Sequence, residues 1–468
     1  MLIDSLILMK QELLLTVILF VLLFTKLGKK EWKNESLINF INILLFINLV
    51  AGFIGIRTGT LFGDMFITNE LLTLEKNFLN LGILIISLQS SHWLKDHKHV
   101  PEFYVLLIST LIGMFFMISS NNLLMFYLGL ELSTIPLAAL ANYDLDKRRS
   151  SEAAFKMIIS SAFSSGLLLF GISMLYGAIG TLNFAELATG LTSSPLEIFS
   201  FILLVAGFGF KISAVPFHLW TADVYEGSPV AVTSYLSVIS KGAILFVMVS
   251  VMYSVFGPLQ ASWYNMLFIL SVLTMIIGNL FALRQENMKR FLAFSSIAQV
   301  GFILVGLTGD MQAGSSSVIY FVLVYIFSNL GAFGVVSLVS AVTGMENMNS
   351  YKGFYKNNPL LAWVLAISLF SLAGIPPTAG FFGKFFLLLS GAGNGNYLLI
   401  SIAALNMVVS LYYYLKIIRV MFMDANDTPM EKIQSGIAPK LAMGICVSGI
   451  IVTGLASGAY QYIYSLVK

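Results

Sequence analysis

The stretch GFGFKISAVPFHLW, residues 207–220, places a lysine at the end of an apolar run and a proline five residues later. Only Ser200 and two glycines interrupt the run from Ile198 to Phe210. A lysine at mid-bilayer costs on the order of 3 kcal/mol on insertion scales. Pro216 lacks the N–H that a helix needs and clashes with the preceding turn. The stretch therefore predicts a broken membrane helix that carries a buried charge.

The composition of the whole chain also indicates a membrane protein. Hydrophobic residues make up 58% of the 468 residues and charged residues 10%, whereas soluble proteins carry about 25% charged residues. A water-soluble fold could not hide this much apolar surface, so a lipid bilayer is expected around it. The net charge of +3 comes without a basic patch, so no nucleic-acid partner is expected. The single cysteine, Cys446, excludes a disulfide framework and a thiolate metal site.

Apolar segments long enough to span a bilayer recur along the chain. A helix needs about 20 apolar residues to cross the hydrocarbon core. About fourteen such segments predict an all-α polytopic membrane protein, and the first, which lacks a cleavage site, is expected to be retained as a helix. The segments centre near Leu19, Leu45, Leu84, Leu111, Leu130, Ser165, Leu204, Ser240, Leu270, Val300, Leu330, Phe370, Val409 and Gly449.

Lysine and arginine residues concentrate in alternate loops. One set of loops holds Lys26, Lys29, Lys30, Lys33, Lys95, Lys98, Lys147, Arg148, Arg149, Arg284, Lys289, Arg290, Lys352, Lys356, Lys416, Arg419, Lys432 and Lys440. The opposite side, with both termini, holds only Lys10, Arg57, Lys76 and Lys468. Because cytoplasmic loops carry the excess of basic residues, both termini are predicted on the outer side of the membrane.

A second interrupted span follows about 160 residues after the first. It reads SLAGIPPTAGFFGKFF, residues 371–386, and contains Pro376, Pro377 and Lys384. Paired broken helices are typical of inverted repeats that share a site near mid-membrane, although prolines are also common in membrane helices. The spacing predicts two five-helix repeats at residues 101–256 and 262–422. A three-helix segment at residues 1–100 precedes them, and a loop and helix at residues 423–468 follow.

Charged residues inside apolar segments are the candidate functional groups. Glu131, Lys211, Lys241 and Lys384 all have apolar neighbours along the chain. A Glu131–Lys211 pair that opens and closes would change the lysine's affinity for protons, and a row of such groups linked by water would pass protons. The alternative is a set of structural ion pairs. Lys156 lies one turn inside its helix and could reach the basic surface with its charged end.

The histidines leave alternatives open. His218, just past the first break, could relay protons because an ordinary imidazole titrates near neutral pH, or it could be a hydrogen-bonded histidine at the membrane interface. Three histidines crowd one basic-side loop, and a solvated loop is favoured there over a metal site: His92, His97 and His99.

Two carboxylates, Asp223 and Glu226, lie in DVYEGSP on the basic side. The sequence shows no cation that balances them, which indicates contact with a neighbouring subunit or the mouth of a channel. The chain contains no phosphate-binding glycine loop, no serine-hydrolase order and no CxxC motif.

Five stretches together resemble the antiporter-like membrane subunits of respiratory complex I. They are FYLGLELSTIPLAAL, SEAAFKMIISSAFSSGLLLFG, FKISAVPFHLWTADVYEGSPVAVTSYLSVISKGA, NMKRFLAFSSIAQVGF and LAGIPPTAGFFGKF, in this order between about residues 100 and 420. The resemblance implies fourteen helices, two inverted five-helix repeats and two broken helices. It also implies that Glu131, Lys211, Lys241 and Lys384, with Lys156, form the proton path. The family often has a histidine where this chain has Gln299, which cannot change charge at neutral pH.

The resemblance further implies a proton-translocating subunit of NADH–quinone oxidoreductase in a bacterial inner membrane. Quinone reduction elsewhere in the complex would drive it, and FMN, iron–sulfur clusters and the quinone site would belong to other subunits. Its expected partners are neighbouring antiporter-like and small membrane subunits and the lipid bilayer; no cofactor or metal is expected in this chain. Two alternatives are a cation/proton antiporter subunit without redox partners and a membrane scaffold in which the buried charges only pair.

Overall fold

The structure is a computed structural model that describes residues 2–28, 32–393, 395–456 and 458–467. Three of the basic residues used above to predict orientation, Lys29, Lys30 and Lys468, lie outside these ranges.

Helices account for most of the described chain. The first part contains α1 (Leu2–Leu8), α2 (Lys10–Leu27), α3 (Asn34–Phe53), α4 (Glu70–Leu94), α5 (Val100–Ile118), α6 (Leu123–Ala141), α7 (Arg148–Ile179), α8 (Phe184–Gly190), α9 (Pro195–Ile212), α10 (Leu219–Gly227), α11 (Val230–Ser234) and α12 (Lys241–Ser250). The second part contains α13 (Gln260–Leu283), α14 (Met288–Leu307), α15 (Met311–Thr343), α16 (Phe354–Asn357), α17 (Pro359–Ala373), α18 (Ala379–Ala392), α19 (Tyr397–Phe422), α20 (Ile437–Leu455) and α21 (Gly458–Leu466).

Short elements connect these helices. Two π-helical turns, Tyr235–Ser240 and Val251–Val255, make α11 and α12 parts of one long span. Single 3₁₀ turns lie at Gly257–Leu259 and Met348–Tyr351. Two strands, β1 (Gly59–Leu61) and β2 (Phe66–Thr68), form an antiparallel hairpin before α4, with Gly59 opposite Thr68.

The prediction of an all-α polytopic membrane fold is confirmed. Within the described residues, twelve helices are long and apolar enough to cross a membrane. Two of the fourteen predicted spans fall outside this set: α2 contains three charged residues, and the predicted span near Phe370 is divided into the shorter apolar helices α17 and α18. The count of fourteen therefore stays a prediction.

The chain divides into two compact units. Unit 1 comprises Met1–Leu84, Leu94–Ile212 and Ser240–Trp263. Within it, α5 packs closely along α6, and α7 packs along α9.

Unit 2 comprises Ile85–Trp93, Ser213–Ile239 and Tyr264–Lys468. The centre of unit 2 is α15, whose most apolar window is completely buried and which packs against α14, α17, α18 and α20.

Candidate ion-translocation site

Glu131 lies on α6, in unit 1. This helix begins after Asn122, whose side chain accepts a hydrogen bond from the Leu124 N–H at 2.8 Å. At Gly129, two residues before Glu131, a Cβ would lie 2.7 Å from the Met117 nitrogen of α5. Only glycine permits this approach of the two helices. Within the described part of the chain, Glu131 Oε1 is buried and has no hydrogen-bond partner.

Lys211 lies in the last turn of α9 and is half-buried. Its Nζ donates hydrogen bonds to Thr134 Oγ1 at 3.1 Å and to Ser161 Oγ at 2.6 Å. Thr134 follows Glu131 by three residues on α6, and the Glu131 carboxyl interacts electrostatically with Lys211. The ammonium group is thus hydrogen-bonded to hydroxyls, with a carboxyl close enough to act on its charge.

The first broken helix forms where the sequence predicts it. α9 ends at Ile212, Ser213 has a φ of +66°, and the Val215–Pro216 peptide bond is cis. His218 follows the break and is 7% exposed. Its Nδ1 has no hydrogen-bond partner among the residues that the structure describes. This nitrogen is available to a proton or to water, and both roles of His218 stay predictions.

Lys241 and Lys156 differ in their surroundings. Lys241 begins α12 directly after a π-helical turn and is 1% exposed. α12 packs against α9, the helix of Lys211, and against α5. The Lys156 side chain is 38% exposed and forms an ion pair with Glu152 at 2.8 Å across one helical turn. Lys241 is therefore an interior group, whereas Lys156 lies at the surface, as expected for a lysine that reaches toward water.

Lys384 lies on α18 in unit 2, beside the second broken helix, and is 1% exposed. Its Nζ donates hydrogen bonds to the Leu372 and Ala373 carbonyls, at 2.7 and 3.3 Å, and lies 4.8 Å from the centre of the Phe302 ring. These carbonyls end α17, where a helix carries partial negative charge. Gly374 ends the helix with a φ of +86°, and a Cβ there would lie 3.2 Å from the lysine Cδ. The break thus creates the acceptors that hold the ammonium group.

Gln299 extends this arrangement in unit 2. Its Nε2 donates to the same Leu372 carbonyl at 2.9 Å and to the Tyr414 hydroxyl at 3.1 Å. The Tyr414 hydroxyl in turn lies 2.5 Å from Ser295 Oγ. Gln299 therefore occupies a polar row that begins at Lys384. Tyr414 and Ser295, which also belong to this row, were not predicted from the sequence.

The expectation that Asp223 and Glu226 lack a balancing cation is wrong. Arg290 Nη1 lies 2.8 Å from Asp223 Oδ1 and 2.8 Å from Glu226 Oε2, all within unit 2. The capping side chain of Asn287 accepts from the Arg290 N–H at 3.2 Å and so fixes the start of α14. The motif NMKR indicated the position of this cation in the sequence. A helix N-cap followed by two basic residues places both basic residues at the start of one helix.

The histidines of the basic-side loop contact an aromatic ring and a carboxylate. Across the described ranges, no group of three or more His, Cys, Asp or Glu side chains could hold a metal ion. In unit 1 the His97 ring stacks on Tyr143 at 4.9 Å, and His99 Nδ1 lies 3.4 Å from Glu102 Oε1. Burial lowers the pKa of His97.

One buried ion pair was not predicted. Lys76, placed in an outer loop by the distribution of basic residues, lies in α4 and is 1% exposed. Its Nζ lies 2.5 Å from Oε1 of Glu12, which is 2% exposed. The adjacent pair Glu75 and Lys76 ahead of an apolar run was the only local signal.

The features shared by the two units define a class of protein. Each unit places a lysine beside a helix that breaks inside an apolar segment, half-buried at Lys211 and buried at Lys384. Such broken helices line ion or substrate sites in membrane transport proteins. The arrangement is that of an ion-translocating polytopic membrane protein.

Comparison with known proteins agrees with this class. The sequence profile of the family described as NADH:quinone oxidoreductase/Mrp antiporter, TM, matches residues 120–410. A protein named NADH-quinone oxidoreductase subunit N from Phocaeicola vulgatus is 43% identical over 461 residues, covering 97% of both chains. A protein of the same name from Azobacteroides pseudotrichonymphae is 44% identical, covering 98% of this chain and 97% of the relative.

Solved structures show the same architecture. A chain of respiratory complex I from Thermus thermophilus superposes with a TM-score of 0.82 at 26% identity, covering 96% of this chain and 97% of the other. A chain of the Mrp complex from Dietzia sp. gives a TM-score of 0.85 at 19% identity, covering 99% and 96%, and shows the shared fold alone. The chain therefore belongs to the NADH:quinone oxidoreductase/Mrp antiporter family, in the branch whose members are named subunit N.

Proposed function

We propose that this chain is a proton-translocating membrane subunit of NADH–quinone oxidoreductase, and that Lys211 and Lys384 carry protons within it. One observation supports these roles above the others. The hydrogen bonds of Lys211 go to two hydroxyls, and those of Lys384 go to two carbonyls. The ammonium group of each lysine is thus held by uncharged oxygen atoms.

The partners of a lysine determine the free-energy cost of its deprotonation. A lysine in a tight pair with a buried carboxylate leaves an uncompensated negative charge when it becomes neutral, at a cost of about 3–5 kcal/mol for a broken buried pair. Lys76, 2.5 Å from Oε1 of the buried Glu12 in unit 1, has such a partner. The hydrogen-bond partners of Lys211 and Lys384 are hydroxyls and carbonyls, which a neutral amine still satisfies as a hydrogen-bond donor. These two lysines are therefore suited to exchange protons.

The other predicted residues take supporting roles. Glu131 acts on the charge of Lys211 from the neighbouring helix and modulates how firmly the proton is held. Lys241 continues the interior row on α12. His218 exchanges protons or water next to the first break. Lys156 connects the row to the aqueous surface from its exposed position.

The remaining features follow from the same proposal. Residues 101–256 and 262–422 form two inverted repeats, and both termini lie on the outer side of a bacterial inner membrane. Quinone reduction takes place in other subunits, which hold FMN, the iron–sulfur clusters and the quinone. The chain binds neighbouring membrane subunits and lipid.

The alternative is a cation/proton antiporter subunit that works without redox partners. The fold of the Mrp chain is compatible with it, but the relatives with 43–44% identity carry the name of the oxidoreductase. Purification through a tag on this chain separates the two: the proposal expects flavin and iron in stoichiometric amounts together with NADH–quinone activity, and the alternative expects neither.

The test of proton transfer uses the Lys211→Ala variant. Proton pumping and NADH–quinone turnover are measured in the same membranes, and assembly is checked on a native gel. We expect an assembled complex with strongly reduced pumping, because the Thr134 and Ser161 hydroxyls no longer face a proton carrier. Lys440→Ala, which removes an exposed lysine from α20, is the matched control and should pump normally. An assembled Lys211→Ala complex with normal pumping and turnover would contradict the proposal.

A further inference from the structure

A buried polar cluster lies in the three N-terminal membrane helices of unit 1, away from the residues used so far. We name it the N-terminal cluster and define it by Glu12 of α2 and by Glu75, Lys76 and Asn77 of α4, which are 1–2% exposed. Lys76 and Glu12 form its ion pair at 2.5 Å. Next to this pair, Asn77 Oδ1 accepts a hydrogen bond from Gln11 Nε2 at 2.7 Å.

The Lys76–Glu12 pair is firmly placed. The lysine Nζ lies 5.1 Å from the centre of the Phe66 ring of β2 and 5.9 Å from that of Phe115 of α5. Aromatic faces stabilise a desolvated cation. The pair is therefore a fixed, internally neutral element of the cluster.

Glu75 is the carboxyl of the cluster that does not form the ion pair with Lys76. It precedes Lys76 directly and interacts electrostatically with it, but the ion pair of Lys76 is with Glu12. Glu75 Oε2 is buried and finds no hydrogen-bond partner in the described part of the chain. Two carboxyl groups thus face one ammonium group, and an ionised Glu75 would add a buried charge without compensation, at a cost of several kcal/mol.

Further polar side chains are buried in the same helices. Asn48 of α3 is fully buried, and both its Oδ1 and its Nδ2 have no partner among the described residues. Asn80 of α4 donates to the Leu45 carbonyl at 3.3 Å, while its Oδ1 is also without a described partner. Ordered water commonly supplies the hydrogen bonds of buried polar atoms that have no protein partner. These helices are therefore polar enough inside to admit the water that a proton needs.

The position of Glu75 favours the exchange of protons with the aqueous phase at one side of the membrane. It follows the start of α4 by five residues, which is about 8 Å along a helix. That end of α4 joins the β1–β2 hairpin, opposite to the basic loops. The other charged residues of α3 and α5, Glu35 and Glu102, lie in the first turns of their helices, at the basic end.

We propose that Glu75 is a proton-binding site of its own, oriented by the fixed Lys76–Glu12 pair, which exchanges protons with the aqueous phase opposite the basic loops. The bound ligand is a proton, taken up as a carboxylic acid and released to water. The inference rests on the proposed function, because a proton site matters only if the chain moves protons.

The test uses the Glu75→Gln variant in the intact complex. Glutamine keeps the shape and neutrality of a protonated glutamate but cannot release a proton. We expect normal assembly and at least a twofold lower ratio of protons pumped to electrons transferred. Glu70→Gln removes an exposed carboxyl from the same helix and should leave the ratio unchanged.

An assembled Glu75→Gln complex with the wild-type ratio and pH profile overturns the proposal. If this variant does not assemble, Glu75→Asp replaces it: the carboxyl is retained and displaced by one methylene, so a shifted pH profile of pumping is expected, and an unchanged profile overturns the proposal. Lys211→Ala in the same preparation separates the two levels. Loss of pumping there with no effect at Glu75 refutes only the N-terminal site, whereas normal pumping in Lys211→Ala refutes the proposed function.

Discussion

Replacing Lys384 distinguishes a proton carrier from a fixed charge. In Lys384→Met a side chain of similar length loses two charge-assisted hydrogen bonds, to carbonyls at 2.7 and 3.3 Å, and a contact with the Phe302 ring at 4.8 Å. Such hydrogen bonds contribute about 1.5–3 kcal/mol each, and a cation–π contact about 0.5–2 kcal/mol.

The desolvation of the ammonium group opposes these interactions with a free energy of similar size. Keeping an ammonium group desolvated costs several kcal/mol, and this cost disappears in the variant. The Leu372 carbonyl also keeps its hydrogen bond from Gln299 at 2.9 Å. We therefore expect the free energy of unfolding to change by no more than about 2 kcal/mol and the complex to assemble.

The informative comparison is Lys384→Arg. A guanidinium group retains the positive charge and the ability to donate to both carbonyls, but it does not release a proton in a protein. If Lys384 carries protons, both variants assemble and both lose pumping, measured as proton uptake into inverted membrane vesicles with NADH as the donor. If the charge alone matters, the arginine variant pumps at the wild-type rate, and this result would refute the role assigned to Lys384.

Four further outcomes are expected. Gly374→Ala, at a φ of +86°, should cost about 1–2 kcal/mol and lower the temperature at which the purified complex loses activity. Arg290→Gln leaves two partly exposed carboxylates without their shared cation, so about 1–2 kcal/mol of stability should be lost, and neutralising both carboxylates as well should restore most of it in a thermal unfolding assay. Gln299→His should pump normally at alkaline pH and weakly below about pH 6.5, because an imidazolium would repel the lysine that shares its carbonyl. Burial lowers the pKa of His97, so the unfolded chain binds the proton more readily and stability should fall as pH drops below about 6.5; His97→Phe, which keeps the stacked ring, should weaken this loss in unfolding curves at several pH values.

Local signals explain what the sequence could predict. Pro216 and the Pro376–Pro377 pair disrupt helices through their own backbone geometry, so both broken helices lie where the residues predict them. Lys241 and Lys384 are both 1% exposed, as their apolar neighbours along the chain indicate. Hydropathy also predicts the class of fold, because the length of an apolar segment alone decides whether it can cross a bilayer.

Long-range pairs explain what the sequence could not predict. Lys76 was expected in an outer loop, but Glu12, 64 residues earlier, neutralises it inside the helices. Arg290 likewise meets Glu226 across 64 residues. The identity of a charge's partner depends on which helices pack together, and neither periodicity nor composition contains that information.

Four lysines with little or partial exposure fall into two kinds by their partners, and the proposed function gives the two kinds different roles. Lys76 and Lys289 each have a carboxylate within 3 Å and little exposure of their own, so losing a proton would leave that carboxylate without its cation. For Glu12, which is 2% exposed, the result would be an uncompensated buried charge. Lys211 and Lys384 have hydroxyls and carbonyls instead, and for them the charged and neutral forms both keep their hydrogen bonds. Proton transfer needs two states of similar free energy, and under the proposed function the second kind provides them. The same criterion assigns exchange in the N-terminal cluster to Glu75, which has no fixed counter-ion, and leaves the Lys76–Glu12 pair as its scaffold.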